Sequence, residues 1–178
     1  MDPQTAQGNL RGPQMTLLQD IDRVLLIGIC ATAVLDIWLA LLARMGVPTL
    51  NFAFIGRWVG HLFRGRFSHM AIGRAQPIRG ELAWGWLAHY AIGIAFAAGL
   101  MGLQGMAGAR QPTLAASLGF GLCTVLVPLF VMQPAMGSGF ASSRTPTPVK
   151  NVLRSIANHA VFGLGLYLSS LLAAQVLR

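Results

Sequence analysis

ICATAVLDIWLALLA, residues 29–43, is apolar except for Thr32 and one carboxylate, Asp36. With the residues before it, the run extends over 24–43. That is about 20 residues, enough for a helix to cross about 30 Å of hydrocarbon. Three further runs of similar length follow, at 82–103, 113–132 and 156–177. The chain is 54% hydrophobic and only 10% charged, against about 25% charged in an average soluble domain. So few polar residues cannot cover a core of this size, and a bilayer is the better solvent. The first run is too long for a signal-peptide core, with no convincing cleavage site after it, and reads as an uncleaved span. The expected fold is all-α: a polytopic membrane protein built as a bundle of four transmembrane helices.

The formal charge is +8, and twelve of the thirteen basic residues are arginine. They are scattered between apolar runs and form no compact basic domain. We read them as topology signals and expect no nucleic-acid partner. The first and third loops hold nine of them, including Arg57, Arg64, Arg66, Arg144 and Arg154. Arg11, Arg23, Arg110 and Arg178 fall on the other side. The positive-inside rule then places the two large loops in the cytoplasm and both termini outside.

Residues 1–14 are polar, carry Pro and Gly, and lack periodicity, so a disordered tail is expected, with Met15 a candidate start and residues 15–178 one domain. Cys30 and Cys123 fall inside apolar runs and read as packing residues. A faint repeat joins Gly28-Ile-Cys30-Ala-Thr32 to Gly121-Leu-Cys123-Thr124, and His89-x-x-x-Gly93 to His159-x-x-x-Gly163. It suggests two hairpins of one orientation, a pattern found in transporters. Pro128 would free the carbonyl of Thr124 and kink the third span.

Asp36, His89 and His159 come from three different spans. Each is expected on the order of 8–11 Å in from the same loop-side boundary. Gln133 ends the third run near the same level. A lone charge inside a membrane helix costs about 2.5–3.5 kcal/mol on insertion scales. Asp36 is therefore expected to face the bundle interior beside the histidines. Such a polar cluster can serve as helix glue, as a proton or ion relay, as a metal site or as an axial bis-histidine haem site. For a metal, Asp36, His89 and His159 are the candidate ligands, with His61, His69 or Glu81 completing the shell.

The first loop, NFAFIGRWVGHLFRGRFSHM (residues 51–70), carries two helical faces. Arg57, His61, Arg64 and Ser68 lie on one; Phe52, Ile55, Val59 and Leu62 lie on another. This reads as an interfacial amphipathic helix, its basic face toward anionic lipid headgroups. Arg57 and His61 are thus rim or anion-binding candidates. Glu81, at the water boundary before the second span, is another. In the third loop a Gly/Ser stretch with Arg144 offers an anion site built from backbone N–H groups and a guanidinium.

The segments GICATAVLDIW (28–38), GRWVGHLFRGRFSH (56–69), GELAWGWLAHYAIGIAFA (80–97), VPLFVMQPAMGSGFASSRTPTP (127–148) and NHAVFGLGLYLS (158–169) resemble DUF2938, a domain-of-unknown-function family of small bacterial integral membrane proteins. The resemblance covers nearly everything from Met15 onward. It implies a multi-span protein of the bacterial inner membrane and carries over no catalytic residues or cofactor. Three functions stay open: a small proton- or ion-coupled permease, an intramembrane enzyme or cofactor protein acting on a lipid or phosphorylated substrate, and a structural or assembly subunit. A four-span bundle is thin, and the small-residue pairs Gly93/Ala97 and Gly165/Ser169 would suit either internal packing or a homodimer.

Overall fold

The computed structural model describes the backbone of residues 3–177 and the side chains of 18–105 and 111–177. Five helices carry the fold: α1 (Pro3–Arg44), α2 (Phe52–Leu62), α3 (Glu81–Arg110), α4 (Leu114–Thr124) and α5 (Pro148–Val176). Among the described residues there is no strand. Residues 3–14, expected as an aperiodic tail, carry helical backbone continuous with α1; their side chains lie outside the described residues. Four segments are long and apolar enough to cross a membrane: Leu18–Arg44, Glu81–Gly105, Leu114–Ala135 and Pro148–Val176. All four expected apolar runs fall in such segments, each segment somewhat longer than its run.

The long helices run up and down, with α1 packed between α3 and α5 and α4 on the far side of α5. The seam is formed by Ile27, Ala31, Phe162, Leu166 and Ala173, with Ala97 and Leu100 from α3. Two close backbone approaches set the crossings. A Cβ at Gly28 would stand 2.5 Å from Ile94 Cα, and one at Gly121 would stand 2.4 Å from Gly163 Cα. The two halves of the sequence repeat thus do the same structural work. In each, the threonine hydroxyl also turns back onto its glycine's carbonyl, Thr32 onto Gly28 and Thr124 onto Gly121. Gly93 and Gly165 pack inside the bundle, on Thr32 and on Ala31 with Val34. These seams are therefore used internally.

The kink expected at Pro128 takes a particular form. Regular helix ends at Thr124, and the chain continues as a π-helical stretch, Pro128–Met132, and one last turn, Gln133–Ala135. A proline cannot donate to the preceding turn, and the wider π winding absorbs that gap.

The first and third loops meet at one end of the bundle. His69 N–H donates to Ala135 O at 2.8 Å and Ile72 N–H to Met136 O at 3.0 Å. Helix α2 ends earlier than its periodicity suggested, because the turn at Gly65, with φ +73°, reverses the chain. It does not lie free on a surface. It docks against the start of α3, where a Cβ on Gly85 would meet Phe52 O at 1.9 Å.

Candidate functional site

Asp36 and His89 come together as the spacing of their helices requires. Asp36 lies eight residues before the end of α1 and His89 eight after the start of α3, so each sits about 12 Å in. His89 Nε2 is 2.8 Å from Asp36 Oδ1, and the Tyr90 hydroxyl donates to Asp36 Oδ2 at 2.8 Å. Both carboxylate oxygens are thereby engaged. The Asp36 side chain is 19% exposed and that of His89 12%. Outside them, the Phe52 ring of α2 stacks on Trp86 at 4.1 Å and lies 4.8 Å from the His89 ring. The start of α2 thus shields this pair from the loop side.

His159 does not join Asp36. Its Nδ1 is 2.8 Å from Thr124 Oγ1, and that hydroxyl also lies within hydrogen-bond reach of Gly121 O. A hydroxyl has one proton to give. If the carbonyl takes it, the ring must donate from Nδ1, which leaves Nε2 with its lone pair free. In that arrangement Thr124 sets the tautomer of His159. The polar level expected from sequence is real but divided into two stations, Asp36–His89–Tyr90 and His159–Thr124. They are joined by a cavity that both histidines line.

This cavity has a volume of about 420 Å³ and draws its walls from α1, α3 and α5, from the π-helical stretch that follows α4, and from both large loops. Leu35, Leu39, Ile92 and Phe96 make the apolar part of the wall on α1 and α3, which Thr32 and His89 also line. The opposite wall is a polar stripe on α5: Asn151, Arg154, Ser155, Asn158 and His159. Those positions recur at i, i+3, i+4, i+7 and i+8, one face of a helix. Gln133 belongs to this wall too. Its Oε1 accepts from Ser142 Oγ at 2.9 Å, and Ser155 lies 3.5 Å from its Nε2. The third loop is held tightly where it meets the cavity, with Ala141 and Ser142 at φ +47° and +60°. L-residues enter that region only where the surroundings enforce it.

The rim candidates find other roles. Arg57, expected to face phosphates, is buried. Its Nε and Nη2 grip Glu81 at 2.8 and 2.9 Å, and its Nη1 reaches the carbonyls of Ile72, Gly73 and Ala75. Every guanidinium donor nitrogen is spent inside the protein, and the hydrogen bonds Arg57 donates to Glu81 raise its pKa above even its ordinary value. Glu81 faces Arg57, away from the cavity it was expected to rim. His61 is buried beside it, with Nε2 2.9 Å from Gln76 O. Of the stripe read as outward, Arg57 and His61 are turned inward, whereas Arg64 and Ser68 lie beyond the end of α2 and are exposed. Neighbouring His69 is pushed below the usual imidazole range, first by burial and then by the nearby charges of His61 and Arg66. Arg144 is exposed on the third loop and does not line the cavity; Arg154 does.

Among the described residues no three His, Cys, Asp or Glu side chains converge closely enough to hold a metal ion. The expected Asp36/His89/His159 ligand set is not assembled, because His159 turns to Thr124. Sequence reasoning also missed Tyr90, Thr124, Arg154 and Asn158. The stripe on α5 carried a readable signal, since its spacing is helical throughout. Nothing in the local pattern marked Tyr90.

Fold and site define a class: an all-helical protein whose four long apolar helices enclose a cavity with one polar and one apolar wall. The chain matches the family model described as protein of unknown function, DUF2938, over residues 25–173, and it belongs to that family. No curated protein and no solved structure matches it.

Proposed function

We propose that this protein is a small proton-coupled permease of the bacterial inner membrane, with both large loops in the cytoplasm and both termini on the far side. Three things support the membrane setting. The apolar helices are long enough to span. Leu25, Ile29, Ile37 and Leu41 form an exposed stripe along α1 that water would not tolerate at such length. Both arginine-bearing loops gather at one end, as the positive-inside rule requires of a shared side.

The observation that carries the function is Asp36, held at both oxygens by His89 and Tyr90 beside a cavity among the four long apolar segments. An intramembrane carboxylate is expensive and persists where it is used. Across the 2.8 Å contact a proton can pass between Asp36 Oδ1 and His89 Nε2. His89 reaches the cavity wall, so a solute bound there can feel which partner holds the proton. Tyr90 keeps the carboxylate oriented while this exchange occurs. His159, its tautomer set by Thr124, offers a second base on the facing wall.

The test is solute-driven proton movement. Proteoliposomes holding the full chain and an internal pH dye would be challenged with a small-molecule extract of the host bacterium. Wild type should acidify or alkalinise the lumen in step with solute entry, and Asp36→Asn should not. Equal signals from wild type, Asp36→Asn and empty liposomes would overturn the reading.

A further inference from the structure

Arg154 enters the cavity wall without an acid to face among the described residues. The chain has five carboxylate side chains: Asp2, Asp20, Asp22, Asp36 and Glu81. Asp36 is engaged by His89 and Tyr90, and Glu81 by Arg57. Asp20 and Asp22 sit on α1 about 30 Å or more, by helical rise, from the level of Arg154. Asp2 lies outside the described residues. Among the described residues, no Asp or Glu lines the cavity. A half-buried guanidinium with no acid beside it is suited to receive an anion.

A second donor stands beside it. Asn158, one turn further along α5, accepts the Trp38 indole N–H on Oδ1 at 3.0 Å. Its amide nitrogen has no protein acceptor among the described residues and remains free to donate, and Asn158 lines the same cavity. Residues four apart on a helix stand about 5–6 Å apart, so Arg154 and Asn158 can share one acidic head. Opposite them Leu35, Leu39, Ile92 and Phe96 offer only hydrocarbon. The volume of about 420 Å³ lies near the lower end of the range for ligand pockets, about 300–1,000 Å³. It suits one head group with a single apolar body.

We infer that the cavity binds an amphiphilic anion, its acidic head on Arg154 and Asn158 and its apolar body against the α1–α3 wall. This rests on the permease reading for its purpose, but the binding itself does not require transport. The head can belong to a free amphiphilic acid or to an acidic lipid entering from the bilayer; the recognising chemistry is the same.

The experiment uses the full chain in phosphatidylcholine nanodiscs, with empty nanodiscs as the partition background. Decanesulfonate, decanol and decyltrimethylammonium are titrated calorimetrically. Wild type should bind decanesulfonate saturably and neither of the others. Arg154→Ala should weaken that binding about tenfold or more, the loss expected for one charge-assisted hydrogen bond, and Arg154→Lys should recover most of it. Arg154→Glu should move the preference to decyltrimethylammonium, which keeps the test alive if the alanine variant folds poorly. Nanodiscs containing phosphatidylglycerol tell the sources apart. Displacement of decanesulfonate there assigns the head to a lipid, and undiminished binding assigns it to a free amphiphile; either supports the inference. Equal affinity in wild type and Arg154→Ala, or equal binding of the three probes, would overturn it. Binding without any proton coupling would sink the permease reading alone, and proton coupling without binding would sink this inference alone.

Discussion

Replacing Arg57 by alanine removes the post around which the first loop is wound. Its guanidinium makes hydrogen bonds to two Glu81 oxygens at 2.8 and 2.9 Å and to three carbonyls at 3.1–3.2 Å. Removing one member of a buried ion pair costs about 3–5 kcal/mol, because the other charge is left without a partner. The Glu81 side chain keeps 20% exposure, so water can reach its orphaned carboxylate, and the lower end, about 3 kcal/mol, is expected. The loss falls on the segment that Arg57 ties together, from Ile72 to Glu81. Amide exchange there should accelerate about a hundredfold, the equivalent of that energy in a local opening. Hydrogen–deuterium exchange on the detergent-purified protein reads it directly. The double variant Arg57→Met/Glu81→Leu should recover most of the protection, since neither charge remains stranded. Unchanged exchange in Arg57→Ala, together with lost binding to anionic vesicles, would refute the reasoning and return Arg57 to the headgroup role its sequence spacing suggested.

Gly85→Ala should lower the melting temperature by the equivalent of about 1–3 kcal/mol or more, because its Cβ would meet Phe52 O at 1.9 Å and backbone cannot give way as a side chain can; a melt like that of wild type would contradict the α2–α3 contact. His69 is held neutral by a lowered affinity for protons, so the unfolded loop takes up protons first and stability drains away as pH falls below about 6.5. His69→Gln should flatten the acid limb of the melting curve below about pH 6.5, and an unaltered limb would count against burial of that ring. Thr124→Val should leave the fold intact and release the His159 ring, read as a changed imidazole ¹⁵N tautomer pattern; an identical pattern would show that Thr124 does not set it. Tyr90→Phe, which strips one of the hydrogen bonds on Asp36, should cost about 1.5–3 kcal/mol of thermal stability if the carboxylate is charged, and a neutral effect would mean that Tyr90 does not hold it.

The spans were legible because hydrophobic length is a property of sequence alone. Their ends were not: helix α5 begins at Pro148, well before its apolar run, because polar residues such as Asn151 and Arg154 face a cavity that only the folded bundle creates. Asp36 and His89 could be placed at one depth by counting residues, and they do meet. Depth does not fix azimuth, however, and His159 at a similar level pairs with Thr124 instead. The same gap explains α2. Periodicity separated its two faces but could not say which was buried, since the Arg57–Glu81 pair spans 24 positions and three carbonyls of a turn complete it. Arg154 was counted only as a topology signal. Its place in the cavity depends on the absence of a nearby acid, which becomes visible when the partners of Asp36 and Glu81 are known.

The most direct test of the account separates exchange from accumulation in Asp36→Asn. Proteoliposomes would be loaded with a small-molecule extract and offered the same extract radiolabelled, first without a gradient and then with an inward proton gradient. A permease that couples through Asp36 should keep label-for-unlabelled exchange in the variant, because exchange moves no net proton, and lose proton-driven accumulation. Loss of both in a variant that remains folded and monodisperse would make Asp36 a strut of the bundle, and retention of both would take the proton away from it; either result contradicts the account.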